Sequence, residues 1–250
     1  MEANEFYNEI SATYDKMTHF QARLKNEAKT MKQWVNRYQL ESVIDAACGT
    51  GIHAIGLAQM GIRVVGADVS DAMLEQARQN AEKQGVTISW IQTPMQQLHR
   101  QISGAFDAVM CLGNSLPHLL NELELDAAMK SFSAVSNANG RCVLQLLNYK
   151  RILENRERII GIRRDDHTQL IRFYDFTPPL IQFNILTIQW ENEKSSHRLQ
   201  TTPLFPYVKA QIEYALLANN FVDIEYFGDM QFTSFDENNS PNLVVTARKA

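Results

Sequence analysis

An α/β fold, with a doubly wound, mostly parallel seven-stranded sheet and a small antiparallel insert after the fifth strand, is predicted by three observations. Short apolar runs alternate with helical patterns between residues 43 and 104. A glycine turn, Cys48-Gly49-Thr50-Gly51, follows the first apolar run. After Tyr149 the alternation gives way to successive strand-like runs without helices between them.

In order, strands are expected at 43–44, 63–67 and 87–91, with helices at 52–59 and 71–84 between them. Ser70 precedes the second of these helices as an N-cap, with Asp71 in its first turn. A buried strand at 106–112, a helix at 123–136 and a fifth strand at 141–147 complete the parallel half. Strands at 159–163, 170–176, 180–189 and 197–202 form the insert, and a helix at 206–218 leads to a closing strand pair at 221–227 and 243–247. Residues 1–40, helical in spacing, are expected to cover the ligand. The expected organisation is one domain: a cap at 1–40, a cofactor half at 41–150, an insert at 155–205 forming the acceptor side, and a closing region at 206–250.

Composition narrows the function. The chain has 250 residues, 24 basic against 28 acidic, and a formal net charge of −4. No basic footprint for nucleic acid or an anionic membrane is visible, so small molecules are the expected partners. No apolar run approaches the ~20 residues needed to span a bilayer. The acidic opening, Met1 to Glu5, lacks the layout of a secretory signal, and a cytoplasmic location is expected. Cys48, Cys111 and Cys142 have no paired spacing, so neither a disulfide framework nor a zinc site is expected, and the histidines share no metal-binding spacing.

The chemistry concentrates at Asp45-Ala46-Ala47-Cys48-Gly49-Thr50-Gly51, a strand entering a glycine turn at a helix N-terminus. Such a turn brings backbone N–H groups close to a ligand, and Asp68, ending the next strand, can accept from ribose hydroxyls. A nucleoside-bearing ligand is implied. Gly49-x-Gly51-x-x-Ala54 also satisfies a dinucleotide fingerprint. Asp45 argues against that reading, because a carboxylate there repels a diphosphate and attracts a cationic ligand end.

The same segment resembles the signature of the class I S-adenosylmethionine-dependent methyltransferases, and Gly66-Ala67-Asp68-Val69-Ser70-Asp71-Ala72-Met73-Leu74 is similar to that family's second strand and ribose-binding acid. The run from Phe106 to His118, together with Asn148-Tyr149, resembles the glycine N-methyltransferase-like branch. The likeness covers residues 42–149 closely and the rest in layout only. It implies a Rossmann-like methyltransferase fold and S-adenosylmethionine as cofactor, with S-adenosylhomocysteine as product. The implied reaction is in-line methyl transfer to a small-molecule acceptor, at nitrogen. An O-methyltransferase, an NAD(P)-dependent oxidoreductase and a non-catalytic binding protein are the alternatives. Oligomeric state and acceptor identity are not legible.

The cofactor residues expected on this basis are Tyr14, Arg23, Asp45, Ala47, Gly49, Gly51, Asp68, Val69, Met73, Met95 and Leu112. Asn114, His118 and Tyr149 are the catalytic candidates, with Asn114 and Ser115 orienting the acceptor, and no metal is called for. Tyr7 and Tyr14 resemble the cap that relatives fold over the methionine end of the cofactor. Two departures stand out. Pro94 occupies the place where relatives carry an adenine-binding Asp. Leu147 occupies the place of the Arg that clamps the carboxylate of glycine, which disfavours glycine unless Arg163, Arg164 or Arg172 supplies the charge. His53 is expected to be a packed or solvated helix residue, and the cluster from Arg163 to Asp166 a solvated face.

Overall fold

Alternate residues of the central strands enter two different cores, which makes the sheet doubly wound. In β4 (Phe106–Cys111), Ala108 and Met110 belong to one apolar cluster and Val109 and Cys111 to the other. In β1 (Ser42–Ala46), Val43 faces the first and Ile44 and Ala46 the second. Both faces are therefore apolar, as a buried parallel sheet requires. The computed structural model describes residues 3–164, 167–191 and 194–250. Met1, Glu2, Asn192 and Glu193, and the Asp165 and Asp166 of the expected charged face, lie outside the described residues.

The other strands of this sheet are β2 (Arg63–Asp68), β3 (Ser89–Gln92), β5 (Ser136–Leu147), β10 (Phe221–Phe227) and β11 (Asn242–Lys249). Their order is β10-β11-β5-β4-β1-β2-β3, and β11 alone runs opposite to the rest. On one face pack α2 (Phe20–Tyr38), α3 (Ile52–Ala58) and Ala81 of α4 (Asp71–Lys83). On the other pack α6 (Glu122–Ala134), α8 (Lys209–Ala218) and Ile152 of α7 (Tyr149–Glu154), with Leu98 of the short α5 (Leu98–Gln101). The insert is a separate antiparallel sheet, in the order β6 (Ile159–Arg164), β7 (Thr168–Thr177), β8 (Leu180–Glu191) and β9 (Lys194–Leu204). The expected fold class is borne out.

Local differences have local causes. The helix expected to reach Ser136 stops at Ala134, because Ser136 pairs with Phe106 and begins β5; the polar run that follows is an irregular stretch in which Asn139 takes a positive φ. α7 is absent from the sequence reading: it is short, and it starts where the Asn148 side chain accepts from Arg151 N–H as an N-cap. Ser70 caps α4 as expected, its hydroxyl accepting from Met73 N–H at 3.1 Å.

α1 (Ala3–Thr18) lies across the carboxyl end of the sheet and bridges its two sides. Asn8 accepts from the Ser70 hydroxyl at 2.6 Å, and Asp15 accepts from Asn80 at 2.7 Å. On the insert side, Glu9 accepts from Arg198 and Gln200. Phe6 and Ile10 pack with Met73 of α4 and Ile185 of the insert.

Candidate active site

The turn after β1 leaves the strand through left-handed conformations at three alternate positions: Ala47 at φ 59°, Gly49 at φ 54° and Gly51 at φ 86°. Asp68, at the end of β2, holds this turn. Its Oδ2 accepts from Gly49 N–H at 2.8 Å and its Oδ1 from Ser70 N–H at 2.9 Å. The carboxylate is 8% exposed, and burial pushes its pKa up against the pull of those N–H donors. A cavity of about 110 Å³ opens beside it. Its wall contains Tyr14, Arg23, Ala47, Gly49, Asp68, Val69, Met73, Met95, Leu112 and His118 from the expected set. A Cβ built on Gly49 meets nothing within 4 Å, so the glycine leaves open space on the cavity side of the turn.

Three expected residues stand elsewhere. Asp45 is 1% exposed and lines neither this cavity nor the larger one beside it; its Oδ2 accepts from Ala54 N–H at 3.1 Å, in the first turn of α3. Burial raises its pKa to about 6, opposed by His53 and the Ala54 N–H. Gly51 does not line either cavity, and packing constrains it: a Cβ there would lie 2.8 Å from the Trp90 ring and 3.2 Å from Ala77 Cβ. Tyr149 is 1% exposed inside the core below α7, and its hydroxyl pairs with the Asn114 side chain at 2.9 Å. That pairing withdraws it from the cavity, and burial raises its pKa well above the ordinary tyrosine value.

Asn114 itself reaches the larger cavity, in a positive-φ conformation at 66°. Its Oδ1 accepts from Leu147 N–H at 2.9 Å, tying the loop after β4 to the end of β5. His118 ends a short 3₁₀ turn in the same loop, and its Nε2 lies 3.0 Å from the Tyr7 hydroxyl of α1. Burial lowers the His118 pKa to about 4 and raises that of Tyr7 well above 10, so both are neutral near pH 7. Ser115 lines the smaller cavity, and its hydroxyl donates to the Leu112 carbonyl at 2.9 Å.

The larger cavity, about 630 Å³, adjoins the smaller one and shares with it Tyr7, Tyr14, Thr18, Arg23, Leu112, Gly113 and His118. Its far wall comes from the insert, through Arg172, Tyr174, Phe183 and Ile185. Sequence reasoning missed Glu27 and Gln145 in this wall, since neither falls in a motif. Glu27 accepts from Arg23 at 2.8 Å and lies 3.5 Å from His53 Nε2, and the His53 hydrogen bond is the main cause of its pKa of about 2. His53 is thus packed into the cavity wall, the first of its two expected settings. Gln145 Oε1 accepts from Gly113 N–H at 2.7 Å. The Pro94 carbonyl accepts from Gln97 N–H at 2.9 Å, so it is already engaged within its own turn. Among the described residues no cluster of His, Cys, Asp and Glu could hold a metal ion, and no helix is long and apolar enough to cross a membrane.

Comparison with known proteins agrees with this geometry. Residues 43–140 match the family described as a methyltransferase domain. A glycine/sarcosine N-methyltransferase of Parasynechococcus marenigrum (strain WH8102) is 36% identical over 150 residues, covering 60% of this chain and 53% of that protein. One from Aphanothece halophytica is 28% identical over 236 residues, covering 92% and 84%. A solved S-adenosylmethionine-dependent methyltransferase from Clostridium acetobutylicum ATCC 824 matches with a TM-score of 0.80 at 17% identity, over 98% of this chain and 99% of that one. The Parasynechococcus alignment spans about half of that relative's length. The fold is that of the solved methyltransferase, and residues 43–140 match a methyltransferase domain. The sequence relatives are glycine/sarcosine N-methyltransferases, the same branch that the motifs resemble.

Proposed function

We propose that the protein methylates a small-molecule acceptor at nitrogen, using S-adenosylmethionine. The observation that carries this reading is the junction of two cavities at Tyr7, Leu112, Gly113 and His118, one beside the glycine turn and Asp68, the other beneath the insert. The first suits the cofactor. Asp68 can accept from ribose hydroxyls, the open face of Gly49 admits a close backbone approach, and Met73, Met95 and Leu112 offer apolar surface for a base. Asp45 and Asp68, two buried carboxylates flanking the turn, favour a cationic ligand over a diphosphate. When bound, S-adenosylmethionine supplies a methyl group on a sulfonium, transferred in line with release of S-adenosylhomocysteine.

Nitrogen is favoured over oxygen because His118, Tyr7 and Tyr14, which stand where the two cavities meet, are poor bases. His118, with a pKa of about 4, is too weak to deprotonate an alcohol or phenol, and Tyr7, Tyr14 and Tyr149 are held neutral by burial. A neutral amine needs no such help, only alignment in a site that excludes water. Tyr7, clamped to His118, closes that site from above, while Asn114 holds the loop beneath it. The three cysteines are buried free thiols, consistent with a cytoplasmic setting.

The test is incubation with methyl-labelled S-adenosylmethionine and a fractionated metabolite extract. Label appearing on nitrogen of one compound, with matching S-adenosylhomocysteine, is expected. Label on oxygen, or no acceptor-dependent product in any fraction, would contradict the reading.

A further inference from the structure

Of the three arginines that register places on the inner face of the insert, Arg163, Arg172 and Arg198, Arg172 is the one that lines the larger cavity. Strand alternation puts Leu170, Arg172 and Tyr174 of β7 on the same side, and register places Ile185 opposite Arg172 and Phe183 opposite Tyr174. Arg172 lines the larger cavity, and its Nε is buried with no hydrogen-bond partner. An unpaired buried donor on a charged group costs free energy that a bound anion would recover.

The other three arginines of the insert strands are engaged elsewhere, Arg198 with Glu9 of α1. Arg163 donates to the Met17 carbonyl at the end of α1, and the Arg164 guanidinium lies 5.2 Å from the Trp190 ring centroid. The acids of this cavity are also committed. Glu27 is held by Arg23 and His53, and Asp229 accepts from Gln231 N–H and from the Thr233 N–H and hydroxyl. Among the described residues, no carboxylate forms an ion pair with Arg172.

Size gives the second constraint. A cavity of about 630 Å³ falls in the range of roughly 300–1,000 Å³ that holds drug-sized ligands, and glycine would fill only a small part of it. With Leu147 on the sheet side, the cavity has a hydrophobic wall where a small amino acid would need a cation.

Resting on the proposed methyltransferase reading, the geometry points to Arg172 as the specificity-determining residue of the acceptor site. The acceptor is an amine that bears a carboxylate and is considerably larger than glycine. Its carboxylate meets the Arg172 guanidinium, whose planar fork suits bidentate recognition, and its apolar body lies along Tyr174, Phe183 and Ile185.

The test uses protein loaded with S-adenosylhomocysteine and three probe pairs: hippurate, 4-aminophenylacetate and N-benzylglycine, each with its neutral amide. Calorimetry should show at least one carboxylate binding tenfold or more tightly than its amide. In Arg172→Leu that preference should fall to within about twofold, while S-adenosylmethionine affinity changes less than threefold. Arg172→Gln gives the same ratio if the leucine variant does not fold. The inference is overturned if no carboxylate outbinds its amide, if the preference survives substitution, or if cofactor affinity falls tenfold, which would assign Arg172 to the cofactor. Absence of methyl transfer with the binding preference intact would instead contradict the proposed activity and leave this assignment standing.

Discussion

The Tyr7 hydroxyl stands 3.0 Å from His118 Nε2, joining the N-terminal helix to the loop after β4 where the two cavities meet. The contact is supported by an edge-on ring arrangement, with centroids 5.3 Å apart. Tyr7→Phe removes one neutral hydrogen bond, worth about 0.5–1.5 kcal/mol. We expect a comparable loss of stability and a severalfold drop in kcat/KM, readable by thermal denaturation and by initial rates. Unchanged rates would make the contact purely structural.

Because burial holds His118 neutral down to about pH 4, kcat should show no inflection near the ordinary histidine value of 6.5. A rate profile from pH 5 to 9 with a single-proton step near 6.5 that disappears in His118→Asn would show that His118 titrates as a solvent-exposed base.

Asp45 should cost stability near neutral pH. Its folded pKa of about 6 exceeds the reference value of 3.8, so the folded state binds the proton more tightly and stability falls as pH rises through this interval. The shift corresponds to about 3 kcal/mol above pH 6. His118, with its pKa lowered, runs the other way: its contribution is full above pH 6.5 and is lost as pH falls towards 4. The two slopes oppose one another, so a variant difference is needed to separate them. Asp45→Asn should stabilise the ligand-free protein by about 1–3 kcal/mol at pH 7.5 and by almost nothing below pH 3.8, while weakening S-adenosylmethionine. Denaturant melts at the two pH values check this, and equal effects at both would contradict it.

The two turn glycines should fail in different ways. Gly49→Ala meets open space, so it costs only the ~1–2 kcal/mol of a left-handed alanine while its methyl group intrudes on the ligand side. Gly51→Ala adds a collision with Trp90, so overpacking of ~1–3 kcal/mol comes on top. Melting curves should rank Gly51→Ala lower, and calorimetry should show the larger affinity loss in Gly49→Ala.

Much of the fold was legible because strand and helix periods are local. The apolar runs at β1, β2 and β4 and the Ser70 cap are properties of a few neighbouring residues. Asp68, Val69, Met73 and Leu112 reached the cavity because strand ends and helix starts in this topology point there. Asp45, Gly51 and Tyr149 show the limit: each sits in a motif, yet its partner is Ala54 N–H, the Trp90 ring or the Asn114 side chain, and tertiary packing selects those partners. Glu27 and His53 were illegible for the same reason, since a helix break at His19, with φ 53°, brings α2 alongside α3.

The central claim is tested most directly by calorimetry of the wild type and Asp68→Ala with S-adenosylmethionine, S-adenosylhomocysteine and NAD. Both sulfur ligands should bind the wild type and NAD should not. Loss of charged hydrogen bonds to the ribose should weaken S-adenosylmethionine by about 1.5–3 kcal/mol in the variant. Binding of NAD by the wild type, or unchanged S-adenosylmethionine affinity in a folded Asp68→Ala protein, would contradict the account.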